Sequence, residues 1–216
     1  MSSGNLSEKL SSEFITGLKN ILGNCKHSDV KALYEKYEGH LVVYEANYTS
    51  GGAFYAHGQG VSFNSAEVMR GSIIHKPYQT AFHEFGHNID YVMGNGRPVS
   101  ETWGNNALYD AIKQDFDSLK GDKTDIELIE FIKKEMDDNQ WTIMDVASVS
   151  DILESMTGIS YPLGVGHGRS YWDNRLPNKE FFAETLDGAA SNEKSYQIIK
   201  KMFPRAVDIV HRIIGG

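Results

Sequence analysis

The segment His83-Glu84-Phe85-Gly86-His87 sets two imidazoles four residues apart with a carboxylate beside the first. On a helix, such positions lie one above the other, so both rings can reach one metal ion. Glu84 sits about 100° around that helix from His83. It is poorly placed to ligate the same ion and well placed to reach a water beside it. That is the requirement for metal-assisted peptide hydrolysis, with zinc (Zn2+) as the expected cofactor and Glu84 as general base. Matches to so short a pattern also arise by chance. Here the flanking Ala81, Phe82, Phe85, Ile89, Tyr91 and Val92 are apolar, and Glu84 is the one charged residue between Thr80 and Ile89. A carboxylate on a buried helix is costly unless a donor or a metal-held water faces it.

Catalytic zinc usually takes three protein ligands. A third histidine on the same motif would fall six residues after His87, where the chain has Met93. The alternative is a carboxylate on a later helix, and Glu180-Phe181-Phe182-Ala183-Glu184 offers two on one face, with Phe181, Phe182 and Leu186 for burial. The metal set is therefore His83, His87 and Glu180, with Glu184 accepting from the free ring N–H of His83 to fix its tautomer. Exchange of the two glutamates' roles, or a plain solvated helix face, are the competing readings. Asp90, on the face of His83 and His87, is a further support for either ring.

HEFGH followed by Asp90, with the distant EFFAE, resembles the gluzincin metallopeptidases, among them the catalytic domain of anthrax lethal factor and the secreted Pro-Pro endopeptidases. The resemblance implies a zincin-like fold in which the first Glu of the second motif binds zinc and the second orients a ligand histidine. A second likeness involves Gly166-His167-Gly168-Arg169-Ser170-Tyr171-Trp172, then Phe182-Ala183-Glu184, then Ile198-Ile199-Lys200-Lys201-Met202-Phe203-Pro204. These stretches are similar to a peptidase-like domain of bacteriophage minor head proteins. Together the likenesses cover roughly residues 40–212.

A tetrahedral intermediate also needs a donor aimed at its oxyanion. Lethal-factor-like enzymes place a tyrosine seven residues before the ligand glutamate, and here that position is Asp173. Tyr171, nine residues before Glu180, regains reach if Leu176-Pro177 acts as a two-residue insertion. His167 competes for the role and Tyr161 is the weaker candidate. Loop capping or packing is the ordinary alternative for His167 and Tyr171. Gly164, Gly166 and Gly168 allow this loop unusual dihedrals.

Helices must carry these groups, and their signals are periodic. Apolar spacing predicts helices over 12–22, 28–37 (capped at Ser28-Asp29), 77–93 with Pro77 in the first turn, 105–119, 125–136 and 143–156, and one starting near Pro204. Gly94-Asn95-Gly96 should end the motif helix. Residues 41–44, 53–57 and 61–64 read as strands, with Ser50-Gly51-Gly52 as a turn. Residues 61–64 are expected at the sheet edge, where an extended peptide can add as a strand. His57 and His75 are candidates to line the site or to sit at the surface. The expected architecture is α+β: one zincin-like domain spanning 1–216, with a small twisted sheet and the motif helix in an N-terminal lobe (about 1–96) and a mainly helical C-terminal lobe (about 97–216).

Size and composition agree with a globular enzyme: 216 residues, 40% hydrophobic and 23% charged. With 29 acidic against 21 basic residues the formal charge is −8, which disfavours nucleic acid as a partner. Single Cys25 excludes an internal disulfide and reads as structural. No apolar stretch approaches the roughly 18 residues of a membrane span. The polar first ten residues lack a signal-peptide core, so either a cytoplasmic protein or a mature or excised domain is expected. Three functions compete: a zinc endopeptidase acting on protein or peptide, a phage-related assembly module retaining a peptidase fold, and a zinc hydrolase of non-peptide amides. The intact Glu84 favours an enzyme, because a structural site has no use for a base.

Overall fold

The computed structural model describes residues 3–50, 52–173 and 175–215. Gly51, at the centre of the expected turn, lies outside them, as do Met1 and Ser2 of the polar N-terminal stretch. The chain runs β1 (Gly4–Asn5), α1 (Leu6–Lys9), α2 (Ser12–Gly23), α3 (Ser28–Tyr37), β2 (Val42–Glu45), β3 (Phe54–Ala56), β4 (Gly60–Ser62), α4 (Ser65–Arg70) and α5 (Gln79–Met93). It continues through α6 (Val99–Thr102), α7 (Ala107–Lys120), α8 (Asp125–Asn139), α9 (Ile143–Thr157), α10 (Asn178–Ser191), α11 (Glu193–Met202) and α12 (Pro204–Gly215). This is an α+β fold, a small N-terminal sheet followed by a mainly helical region.

The sheet order is β1-β2-β4-β3, with β2 and β4 parallel and the other pairs antiparallel. The strand predicted at the edge, within 61–64, is thus internal, and β3 takes the edge instead. Burial separates the two: every residue of β4 is buried, while Phe54 of β3 is exposed. Asn64 does not extend β4. Its side chain accepts from the N–H groups of Ala66 and Glu67 and caps α4. A predicted cap and a predicted first turn also shift. α3 begins after His27, and Asp29 bonds the Val30 N–H from within the first turn. Pro77 stays outside α5, because Tyr78 holds a left-handed φ of 64° and the helix starts only at Gln79.

Helix α10 is the centre of the molecule, packed along α5 and touching α9 and α11 as well. Phe181, Phe182, Ala183 and Leu186 are fully buried, but so in large part are Glu180, Glu184, Thr185 and Asp187. A helix buried on all faces is normally apolar all round, so three acids on it demand partners. They find α5. The crossing is close because Gly86 meets Ala183: a Cβ at Gly86 would lie 3.1 Å from the Ala183 Cα. That small pair, one residue from each motif, lets the two helices bring their polar stripes together.

Candidate metal centre

The stripes pair in opposite directions along the helices. Gln79 Nε2 donates to Asp187 Oδ1 at 2.9 Å, His83 Nδ1 meets Asp187 Oδ2 at 3.0 Å, and His87 Nε2 lies 3.3 Å from Glu180 Oε2. His83 Nε2 lies 3.2 Å from the same Glu180 oxygen and 3.1 Å from His87 Nε2. Three ligand-type atoms therefore form a nearly equilateral triangle. Zinc bonds of about 2.0–2.2 Å in tetrahedral geometry would set such atoms about 3.3–3.6 Å apart, a few tenths wider than observed. Glu180 Oε2 is buried and accepts no well-formed hydrogen bond. An orphaned carboxylate oxygen facing two ring nitrogens is what a cation would satisfy. His83, His87 and Glu180 are a candidate metal-binding group, consistent with a zincin-like HExxH site.

Electrostatics point the same way. Burial alone would lower the His83 pKa, but Glu184, Asp187 and Glu180 reverse this and hold it well above the usual histidine range. Burial would raise Glu180, yet the neighbouring His87 and His83 bring it well below the usual carboxylate range. The acids thus create a strongly negative potential where the triangle sits. Glu84 lies beside it, 6% exposed, its pKa raised chiefly by burial and partly restrained by His83 and His87.

Two supporting assignments change. Glu184 was expected to accept from His83 Nδ1, but its nearest oxygen is 3.8 Å away and Asp187 makes the bond. One further turn along α10 brings Asp187 into line with the Nδ1 edge of the ring. Asp90 does not reach a histidine either. Both its oxygens are taken by Ser100, from the backbone N–H at 2.7 Å and the hydroxyl at 2.6 Å. It ties the end of α5 to α6, and burial pushes its pKa up to about 6 despite those bonds.

The loop after α9 supplies the remaining candidates. Tyr171 donates to Glu180 Oε1 at 2.5 Å, and burial, then the Glu180 charge, keep its phenol protonated. His167 stacks on Tyr171 at 4.1 Å between ring centroids and pairs with Asp151 at 3.0 Å. Both line a cavity of about 350 Å³ that also exposes His83, Glu84 and His87. His57 borders this cavity too, His75 borders a neighbouring one, and Tyr161 is 53% exposed and touches neither.

Glu154, which sequence reasoning passed over, organises this loop from α9. Fully buried, it accepts from the N–H groups of Tyr161, His167 and Gly168 at 2.9–3.0 Å and from the Trp172 indole at 3.3 Å. Gly166 is required there, since a Cβ would stand 2.5 Å from Glu154 Oε2 and its φ is 152°. Glu154→Gln must turn an amide N–H toward at least one of these donors. At about 1–3 kcal/mol for each buried donor left unmatched, and about 2–4 °C per kcal/mol at this size, the melting temperature should fall by several degrees in calorimetry. An unchanged transition would show that the carboxylate does not hold the loop.

Asp151 and Glu154 did carry a signal, since they sit three residues apart on a helix that is buried over most of its length, and Asp187 follows Glu180 and Glu184 at helical spacing. No protein family matches the chain by sequence, and no curated protein or solved structure is detectably similar to it. Neither the lethal-factor likeness nor the phage likeness gains support from them. What stands is the geometry: a candidate metal-binding group of two histidines and a glutamate, with a buried carboxylate beside it, which suggests a metallohydrolase.

Proposed function

We propose that the protein is a zinc-dependent endopeptidase. One observation carries the reading: the His83, His87 and Glu180 ligand atoms converge within 3.1–3.3 Å of one another at the floor of an open cavity that Glu84 also lines. Nitrogen and carboxylate ligands in a three-membered set suit zinc with a position left for reactants. A cation held there would polarise a carbonyl and acidify water. Glu84 would accept the proton of the attacking water and return it to the leaving amine. Its burial suits the task, because a raised pKa brings a carboxylate closer to neutral pH. Tyr171, kept protonated, would donate to the developing oxyanion, with His167 as a second donor from the same loop. Asp187 would hold the His83 ring in the tautomer that leaves Nε2 free.

The edge strand β3 gives a substrate class. Residues 53–55 and 57 border the cavity, so an extended peptide could pair with the unpaired edge and cross the triangle. The test is a peptide-library digest with protein loaded with zinc and with protein stripped by chelator, alongside elemental analysis. About one zinc per chain and chelator-sensitive cleavage are expected. Loaded protein that cleaves no peptide would leave the assembly-module reading in its place.

A further inference from the structure

A second cavity, of about 260 Å³, adjoins the first at His83 and Glu84. It shares Ala53, His83, Glu84 and His167 with the first, so the two flank the reacting position. Its walls include Ile74, Ala147 and Val165, and besides Glu84 it holds two further carboxyl groups, Asp151 and Glu184. Pockets for drug-sized ligands run to about 300–1,000 Å³, so this one suits a single side chain.

Neither carboxyl group is used up by the metal centre. Asp187 has taken the His83 Nδ1 bond, which leaves Glu184 with Ser148 as its hydrogen-bonding neighbour; burial and then the Asp187 charge hold the Glu184 pKa well above the usual carboxylate range, so the ionised acceptor of the pair is Asp151. Asp151 is 8% exposed, and its Oδ1 lies 3.0 Å from His167 Nδ1 without accepting a well-formed hydrogen bond. A buried carboxylate oxygen short of donors, as Asp151 Oδ1 is, costs free energy. Three rings line the wall, and His83 is committed to Glu180 and Asp187. His167 is already turned to Asp151, and burial pushes the pKa of His75, the other ring on the wall, downward, so it adds no positive charge at neutral pH. Apolar walls leading to the unsatisfied Asp151 Oδ1, with Glu184 beside it, match a side chain with an aliphatic stem and a cationic head.

Direction along the cleft follows from β3. Ala53 borders both cavities, whereas Phe54, Tyr55 and His57 border only the first. Antiparallel pairing is the more stable per residue. A peptide added that way runs from His57 toward Ala53 and reaches the second cavity just past the scissile bond. We infer that the protein selects lysine or arginine on the leaving-amine side of the bond it cleaves, seated against Asp151 and Glu184. The inference rests on the peptidase reading for its place in catalysis, but not for the cation site itself.

Two measurements keep those apart. In a library digest by zinc-loaded protein, Lys and Arg should be enriched about 10- to 100-fold at the first residue of the C-terminal products, and Asp151→Asn should flatten that preference. Separately, argininamide and leucinamide are titrated into the Glu84→Gln protein, read by NMR at the Ile74, Ala147 and Val165 methyls. Argininamide should bind about 10- to 100-fold more tightly, and Asp151→Asn should remove the difference. Products beginning with apolar or acidic residues, or leucinamide binding equally well, overturn the inference. Argininamide bound with no peptide cleaved supports the cation site and defeats the peptidase reading.

Discussion

Glu84→Gln is expected to keep its metal and lose turnover by about 10²- to 10⁴-fold. The amide preserves the size and shape of a side chain that is 6% exposed on α5, so the helix and both imidazoles stay in place. What goes is the ability to accept a proton, and the two carboxylates that contact the ligand histidines most closely are already committed. Glu180 is held between the two histidines, and Asp187 is bonded to His83 and Gln79. Elemental analysis should find zinc as in the parent, while kcat/KM on a peptide substrate collapses. The parent's pH profile carries the same signature. Burial raises the Glu84 pKa, and the base must be ionised to act. Activity should therefore be lost on acidification at a pH above the ordinary glutamate range of about 4.3. Turnover retained in Glu84→Gln would remove this residue from the mechanism.

The two helices that make the site were legible because their patterns are periodic and chemically odd. HEFGH in an apolar frame and EFFAE beside two phenylalanines both place charge where a core should be. Buried acids with no cation in reach are costly enough to point each motif at the other. The exact partner was less legible. Glu184 is one turn beyond Glu180 and Asp187 nearly two, and both share the face; which of them meets Nδ1 depends on how far α10 slides along α5. That offset is set by Gly86 against Ala183, a tertiary contact with no trace in local spacing.

The sheet was harder for a related reason. Strands of three residues, such as β3 and β4, are too short for alternation to show which has two neighbours. The pairing of β4 is with β2, parallel and distant in sequence. Hydrophobicity distinguished a strand from a loop but not an edge from a centre. The loop after α9 was legible in its glycines and aromatic residues, while the carboxylate that orders it, Glu154, sits on another element.

Removal of Glu180 is the second large effect. A structural zinc site binds with about 10–16 kcal/mol shared among four ligands, so deletion of one ligand costs on the order of 2–4 kcal/mol, about 30- to 10³-fold in affinity. Glu180→Ala should lose zinc on dialysis and free Tyr171 from its 2.5 Å bond. His87→Ala should do the same through the other edge of the triangle. The neighbours then rank themselves. Asp187→Asn disturbs the shortest contact to His83 Nδ1 among the described residues, at 3.0 Å, and should weaken zinc about 10- to 100-fold. Glu184→Gln, at 3.8 Å from that nitrogen, should weaken it less. Competition with a chromophoric chelator measures all four variants on one scale. One zinc retained at parental affinity in Glu180→Ala would refute the ligand set. A larger loss in Glu184→Gln than in Asp187→Asn would return the supporting role to the residue that the motif alone had favoured.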